Sequence, residues 1–243
     1  MLKDKKILFF GTDNEISRKI VEVLIKQNAI VLFVSQNEIT DVNILEKNSK
    51  SFFVKDYYTT EKIEDFFKNE LINEKDFDGV IFGGGIGGVR PLKLNSIDFV
   101  RTMFDANVFS FIELMRYVSK KNFLNDGASI VGLSSVSSFK GLKSKGVYSA
   151  SKAALEAAIR SFASELSARN IRVNSIQKGW ISSDMNLDFI KDNRTLSDDS
   201  DLKKQLLGPI EPVELANLVV FLLSDQVKSI TGTSIVLDGG YTL

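Results

Sequence analysis

The sequence predicts an α/β fold: a doubly wound, seven-stranded parallel sheet with helices on both faces. Three observations carry this. Short apolar runs of strand length alternate with longer stretches of helical period. Several of the short runs are apolar throughout, as strands covered on both faces must be. The 243 residues contain no linker-like stretch, so one domain over 1–243 is expected.

Strands are expected at 6–10, 30–34, 51–54, 79–82, 129–133, 172–176 and 234–237. Between the first two, Ile16, Ile20, Val23 and Leu24 recur at helical spacing, and Asn28 stands where that helix should end. Further helices are expected at 60–71, 104–121, 148–169 and 213–223. Right-handed crossovers then place ligands off the carboxyl ends of the strands. Residues 182–207 break the rhythm: they are polar and acidic, with SDDSD, yet carry Met185, Leu187, Phe189 and Ile190. An insertion with apolar content is expected to act as a substrate lid.

Composition removes whole classes of chemistry. With 31 basic and 31 acidic residues, no global field recruits nucleic acid or an anionic membrane. Cysteine and histidine are both absent. Disulfides, thiolate metal sites and every histidine-based triad fall with them, leaving carboxylates, Lys and Tyr to handle protons. The apolar run in MLKDKKILFFG is too short for a signal segment or membrane span, so a cytoplasmic setting is expected.

The chemistry concentrates in SVSSFKGLKSKGVYSASK, residues 135–152. Tyr148 and Lys152 are four apart and share one face of a helix. A phenol ordinarily titrates near 10, and an ammonium held close lowers that value toward neutrality. Ser135, thirteen residues before Tyr148, ends a central strand and can present a hydroxyl donor at the same edge. Asn107, twenty-eight residues before Ser135, can hold a water against the Lys ammonium.

These four residues stand at the spacings of the short-chain dehydrogenase/reductase tetrad, and the flanking text is similar over nearly the whole chain. YSASKAALEAAIRSFASELSARNIRVNSI resembles the family's active-site helix and following strand, and ITGTSIVLDGGYTL its C-terminus. The overall pattern most resembles the 3-oxoacyl-carrier-protein reductase-like branch. The resemblance implies a Rossmann-type fold and hydride transfer between a nicotinamide dinucleotide and a carbonyl or alcohol, free or carrier-bound. Asn107, Ser135, Tyr148 and Lys152 would be catalytic, with Tyr148 as general acid and base. It further implies cofactor contacts at Gly11, Asn14, Ile16, Ser35, Gln36, Asp56, Gly84, Gly85, Tyr148, Lys152, Gly179, Ile181 and Ser183. A homodimer or homotetramer is implied too, and the small Ala150, Ala153, Ala154, Ala157 and Ala158 would permit close helix packing.

The chain departs from the family pattern at three places. Its glycine-rich turn reads FGTDNEIS instead of TGxxxGIG, so Phe10, Glu15 and Ser17 replace a threonine and two glycines. Glu15 brings a negative charge toward a dianionic ligand, or serves as an acidic first-turn residue turned to solvent. Phe82, Gly83, Gly84 and Gly85 stand for NNAG, and Lys178 stands where the family's PG turn has proline. Ser35, Gln36 and Asn37 follow the second strand with neither the acidic residue that selects NAD nor an Arg that selects NADP; the lean is slightly to NADP. Lys140, Lys143 and Lys145 could meet a phosphate or carboxylate, or simply solvate their loop. Glu15, Ser17 and Phe82 also admit a second reading: a non-catalytic relative with weakened dinucleotide binding, acting as a regulatory or interaction subunit.

Overall fold

The computed structural model of the chain describes residues 1–11, 14–35, 49–55, 59–71, 73–183 and 205–243. Gln36, Asp56 and the greater part of the expected lid, 184–204, lie outside the described residues.

Seven parallel strands form one sheet in the order β3-β2-β1-β4-β5-β6-β7. They are β1 (Lys6–Gly11), β2 (Ile30–Ser35), β3 (Ser49–Phe53), β4 (Phe77–Gly83), β5 (Leu124–Ser135), β6 (Arg172–Lys178) and β7 (Ser234–Leu237). The order reverses between β1 and β4, which makes that crevice the switch point where a doubly wound sheet takes its ligand.

α1 (Glu15–Lys26) and α6 (Pro212–Leu223) cover one face. α2 (Thr60–Asn69), α4 (Ser110–Val118) and α5 (Gly146–Leu166) cover the other. α1 ends as the sequence suggests: Asn28 takes a left-handed φ of 59° and its N–H donates to the Ile25 carbonyl at 2.8 Å. The helix expected at 104–121 starts earlier. α3 (Ile97–Phe104) is capped by Ser96, whose hydroxyl accepts from the Phe99 N–H. It runs into one π turn, Asp105–Phe109, before α4. The extra residue in that turn shifts the helical phase, which is why a single 3.6-residue period does not span the whole length.

Two of the departures from the family pattern become intelligible in the core. Phe10 and Phe82 are register partners on β1 and β4, both fully buried. Phe10 meets Phe66 edge-on at 5.6 Å and stacks on Phe67 at 6.2 Å, while Phe82 packs on Phe111 at 5.1 Å. An aromatic layer therefore fills the volume beneath the switch point, where the family has hydrogen-bonding side chains. On the opposite face Phe9 lies so close that a Cβ on Gly11 or on its register partner Gly83 would sit 2.8 or 2.7 Å from its ring. Packing against Phe9 thus favours glycine at both positions.

Candidate active site

The carboxyl ends of β4, β5 and β6 meet the first turns of α5 around a cavity of about 320 Å³. Ser135, Tyr148, Lys178, Trp180 and Tyr241 line it, with Gly87 and Gly88 from the segment after β4. The structure brings Ser135 and Tyr148 to this one cavity, and places Lys152 a helical turn behind Tyr148.

Ser135 ends β5, and its Oγ accepts from the Ser137 N–H at 3.2 Å, fixing the hydroxyl at the strand tip. Burial pushes the Tyr148 phenol above its ordinary value, and the neighbouring Ser135 hydroxyl opposes that rise. Lys152 is buried, its ammonium 5.9 Å from the Tyr148 ring centroid and donating to the Leu133 carbonyl at 3.2 Å. Burial, with the Lys178 charge adding to it and Glu156 opposing, brings the Lys152 amine down to about 7. This differs from the sequence expectation, in which Lys152 loosens the phenolic proton. In the structure it is the Ser135 hydroxyl that acts in that direction, while the lysine itself becomes an amine that exchanges protons near neutrality.

Asn107 sits in the π turn and is fully buried. Its Oδ1 accepts from the Ile86 N–H at 2.8 Å, and its Nδ2 donates to the Ile86 carbonyl at 3.0 Å and to Ser151 Oγ at 2.9 Å. The carboxamide therefore ties the segment after β4 to α5, directly beside Lys152. Gly85 makes the approach possible: at φ 124° a Cβ there would fall 2.3 Å from Asn107 Oδ1 and 3.4 Å from Lys152 Nζ. Gly84, one residue earlier, is buried just beyond the end of β4.

Of the remaining expected cofactor residues, Gly179, Ile181 and Ser183 follow β6. Gly179 is packed so that a Cβ would sit 2.7 Å from Gln205 Oε1 and 2.9 Å from Asp238 Cα. Ile181 is buried, and so is the Ser183 hydroxyl, which has no hydrogen-bond partner among the described residues. A buried hydroxyl left unpaired is costly and fits a polar ligand group such as a carboxamide. Lys152, with one of its three donors on Leu133, retains donors for ribose hydroxyls. The nicotinamide half of a dinucleotide thus fits the residues present.

At the other end the fit is altered. Asn14 caps α1, its Oδ1 accepting from the Ser17 N–H at 2.9 Å, so one helix N-terminal amide that would face a pyrophosphate is already satisfied. Glu15 is exposed, and Ile16 packs into the core. Ser35 is fully buried at the end of β2.

Sequence reasoning did not place Trp180, Tyr241 and Lys178 in the cavity. Gln205 clamps the Trp180 backbone from both sides, accepting from its N–H and donating to its carbonyl, each at 3.0 Å. Lys140 donates to the Tyr241 carbonyl at 2.6 Å and lies over its ring, so it fastens the C-terminus and does not solvate its loop. The ITGTSIVLDGGYTL text was a signal for Tyr241, and the PG-turn position beside Gly179 was one for Lys178; its closeness to Ser135 comes only from strand register. Among the described residues no group of acidic side chains could hold a metal ion, and no helix is long and apolar enough to cross a membrane.

Comparison with known proteins agrees with this geometry. Residues 11–242 match the family model described as Enoyl-(Acyl carrier protein) reductase. The L-xylulose reductase of Caenorhabditis elegans is 32% identical over 98% of this chain and 96% of its own length. The enoyl-[acyl-carrier-protein] reductase [NADH] of Buchnera aphidicola is 31% identical over 100% and 96%. Among solved structures, a short chain dehydrogenase family protein from Francisella tularensis superposes with a TM-score of 0.86 at 28% identity, covering 98% of this chain and 99% of that one.

Proposed function

The chain belongs to the short-chain dehydrogenase/reductase family of oxidoreductases, and we propose that within it this protein reduces a carbonyl compound, or oxidises the corresponding alcohol, with Tyr148 as the proton-transferring group. The observation that carries this reading is the meeting of the Ser135 hydroxyl and the Tyr148 phenol in one cavity, with the Lys152 amine brought to about 7 a turn behind.

When bound, NADPH or NADH supplies the hydride. Lys152 would hold its ribose, Ser183, Ile181 and Gly179 the carboxamide end, and Gly84, Gly85 and Gly11 would let the backbone approach. Ser135 donates a hydrogen bond to the substrate oxygen and polarises the carbonyl. Tyr148, kept protonated at neutral pH by its desolvated surroundings, gives its proton to that oxygen, which suits the reducing direction. Lys152 takes up and releases protons near neutrality and is the group placed to restore the phenol. Asn107 is a positioning residue: its carboxamide is spent on Ile86 and Ser151.

The lean to NADP rests on the absence of an acidic residue after β2. A cytoplasmic setting is supported by the lack of cysteine. A second copy of the chain is the expected partner, since Phe109 and Ile112 leave an apolar strip exposed on the helix that includes α4. Residues 182–207 are assigned as the substrate lid of a single domain.

Titration of the protein with NADPH and NADH, followed by nucleotide fluorescence and by melting temperature, tests the reading. Saturable binding is expected, with Tyr148→Phe binding equally well while losing turnover across a panel of ketones and aldehydes. The second reading, a relative with weakened dinucleotide binding, draws on the Asn14 cap; failure of both nucleotides to bind at millimolar concentration would establish it.

A further inference from the structure

Lys178 is the last residue of β6 and the register partner of Ser135 on β5, so both side chains leave the sheet on the same face, into the same cavity. The family pattern carries proline at this position, a residue with neither charge nor donor. Here a primary ammonium lines the pocket beside the catalytic hydroxyls. Among the described residues no carboxylate pairs with it. Lys145 lines the same cavity from the first turn before α5, its ammonium 4.7 Å from the centroid of the Trp180 ring. Burial and the neighbouring Lys145 charge both push the Lys178 amine below its ordinary value. An anion bound at Lys178 would offset both the burial of its ammonium and the repulsion from Lys145.

We propose that the pocket selects a small carbonyl compound bearing a negatively charged group, held by Lys178 and Lys145 while its carbonyl oxygen rests against Ser135 and Tyr148. Ammonium groups act as point charges toward either a carboxylate or a phosphate, and a cavity of about 320 Å³ lies at the small end of ligand pockets. The chemistry of reduction is unchanged: the hydride goes to the carbonyl carbon and the Tyr148 proton to its oxygen. The inference rests on the reductase reading for its carbonyl, and on Lys178 and Lys145 for its charge.

Trp180 is the single tryptophan of the chain and forms the cavity wall, so its fluorescence reports binding independently of turnover. A short 2-oxo acid, its methyl ester and a phosphorylated ketone are each titrated against the protein, and each is assayed with NADPH. An anion is expected to bind on the order of tenfold more tightly than the ester, the oxo acid or the phosphate compound leading according to which anion the pair accommodates. In Lys178→Gln and Lys145→Gln the anion-to-ester ratio should collapse toward unity, and in Lys178→Arg it should be largely kept. Equal binding of acid, phosphate compound and ester to the wild type, or an unchanged ratio in a folded Lys178→Gln, overturns the proposal. Turnover of neutral carbonyls with no preference for anions would do so while leaving the reductase reading standing. Anion binding that Lys178→Gln abolishes, in a protein that binds no nucleotide, would sustain the charged site and overturn the reductase reading instead.

Discussion

Replacing Lys152 by Met should stabilise the protein at mildly acidic pH and do so progressively less as the pH rises. The lysine's amine is brought from an ordinary 10.5 down to about 7 on folding, a difference equivalent to about 5 kcal/mol at 1.36 kcal/mol per unit. The sign follows from proton counting. Between the two values the unfolded chain holds the proton and the folded one does not, so the penalty is complete below about pH 7 and fades as the pH approaches 10.5. From about pH 6 to about pH 9 the wild-type penalty shrinks by roughly 2.5 kcal/mol. Met fills similar volume without a titrating proton but forfeits the hydrogen bond to Leu133, a pH-independent loss of about 1 kcal/mol. The variant should therefore exceed the wild type by roughly 3–4 kcal/mol at about pH 6 and by about 1 kcal/mol at about pH 9. Urea unfolding followed by circular dichroism at the two pH values measures this. A difference that stays constant with pH would refute the claim that Lys152 is held as a strongly desolvated amine.

Two further predictions concern the scaffold under the site. Gly85→Ala should cost about 2–4 kcal/mol of thermal stability, because its Cβ would collide with Asn107 Oδ1 at a positive φ. Gly141→Ala, which meets open space, should stay within about 0.5 kcal/mol, and equal losses in the two would undo the argument. Asn107→Ala should cost about 2–4 kcal/mol by leaving both Ile86 backbone groups and Ser151 without their carboxamide partner; chemical denaturation showing no change would remove Asn107 from its positioning role.

Strands buried on both faces were the most legible part of the fold, because continuous runs such as ILFF and IVLFV have no other stable use in a chain of this composition. β5 extends beyond its apolar run: Leu124–Ala128 reads LNDGA, polar and glycine-containing, and joins the ladder only through a register shift between Phe77 and Gly79. The start of α3 is hidden in the sequence for a different reason. Ser96 is an ordinary cap signal, but the π turn around Asn107 breaks the helical phase, so the two halves do not sum to one period. At the site, Tyr148, Lys152 and Ser135 could be read because their relation is carried by fixed spacing within a helix and to a strand end. Lys178 stands out at the PG-turn position, but its pairing with Ser135 does not, since the two meet across a ladder, forty-three residues apart. The desolvation that decides which proton is loose also escapes sequence, being a property of everything packed around α5.

The most direct test follows the hydride and the proton together. Wild type and Tyr148→Phe are incubated with NADPH deuterated at the transferable position and a carbonyl compound that the wild type turns over, and the alcohol is analysed by mass spectrometry. The wild-type product should carry deuterium on its carbinol carbon, and Tyr148→Phe, while binding the nucleotide undiminished, should form no labelled alcohol. Labelled product made at an undiminished rate by Tyr148→Phe, or product without label from the wild type, would contradict the assignment.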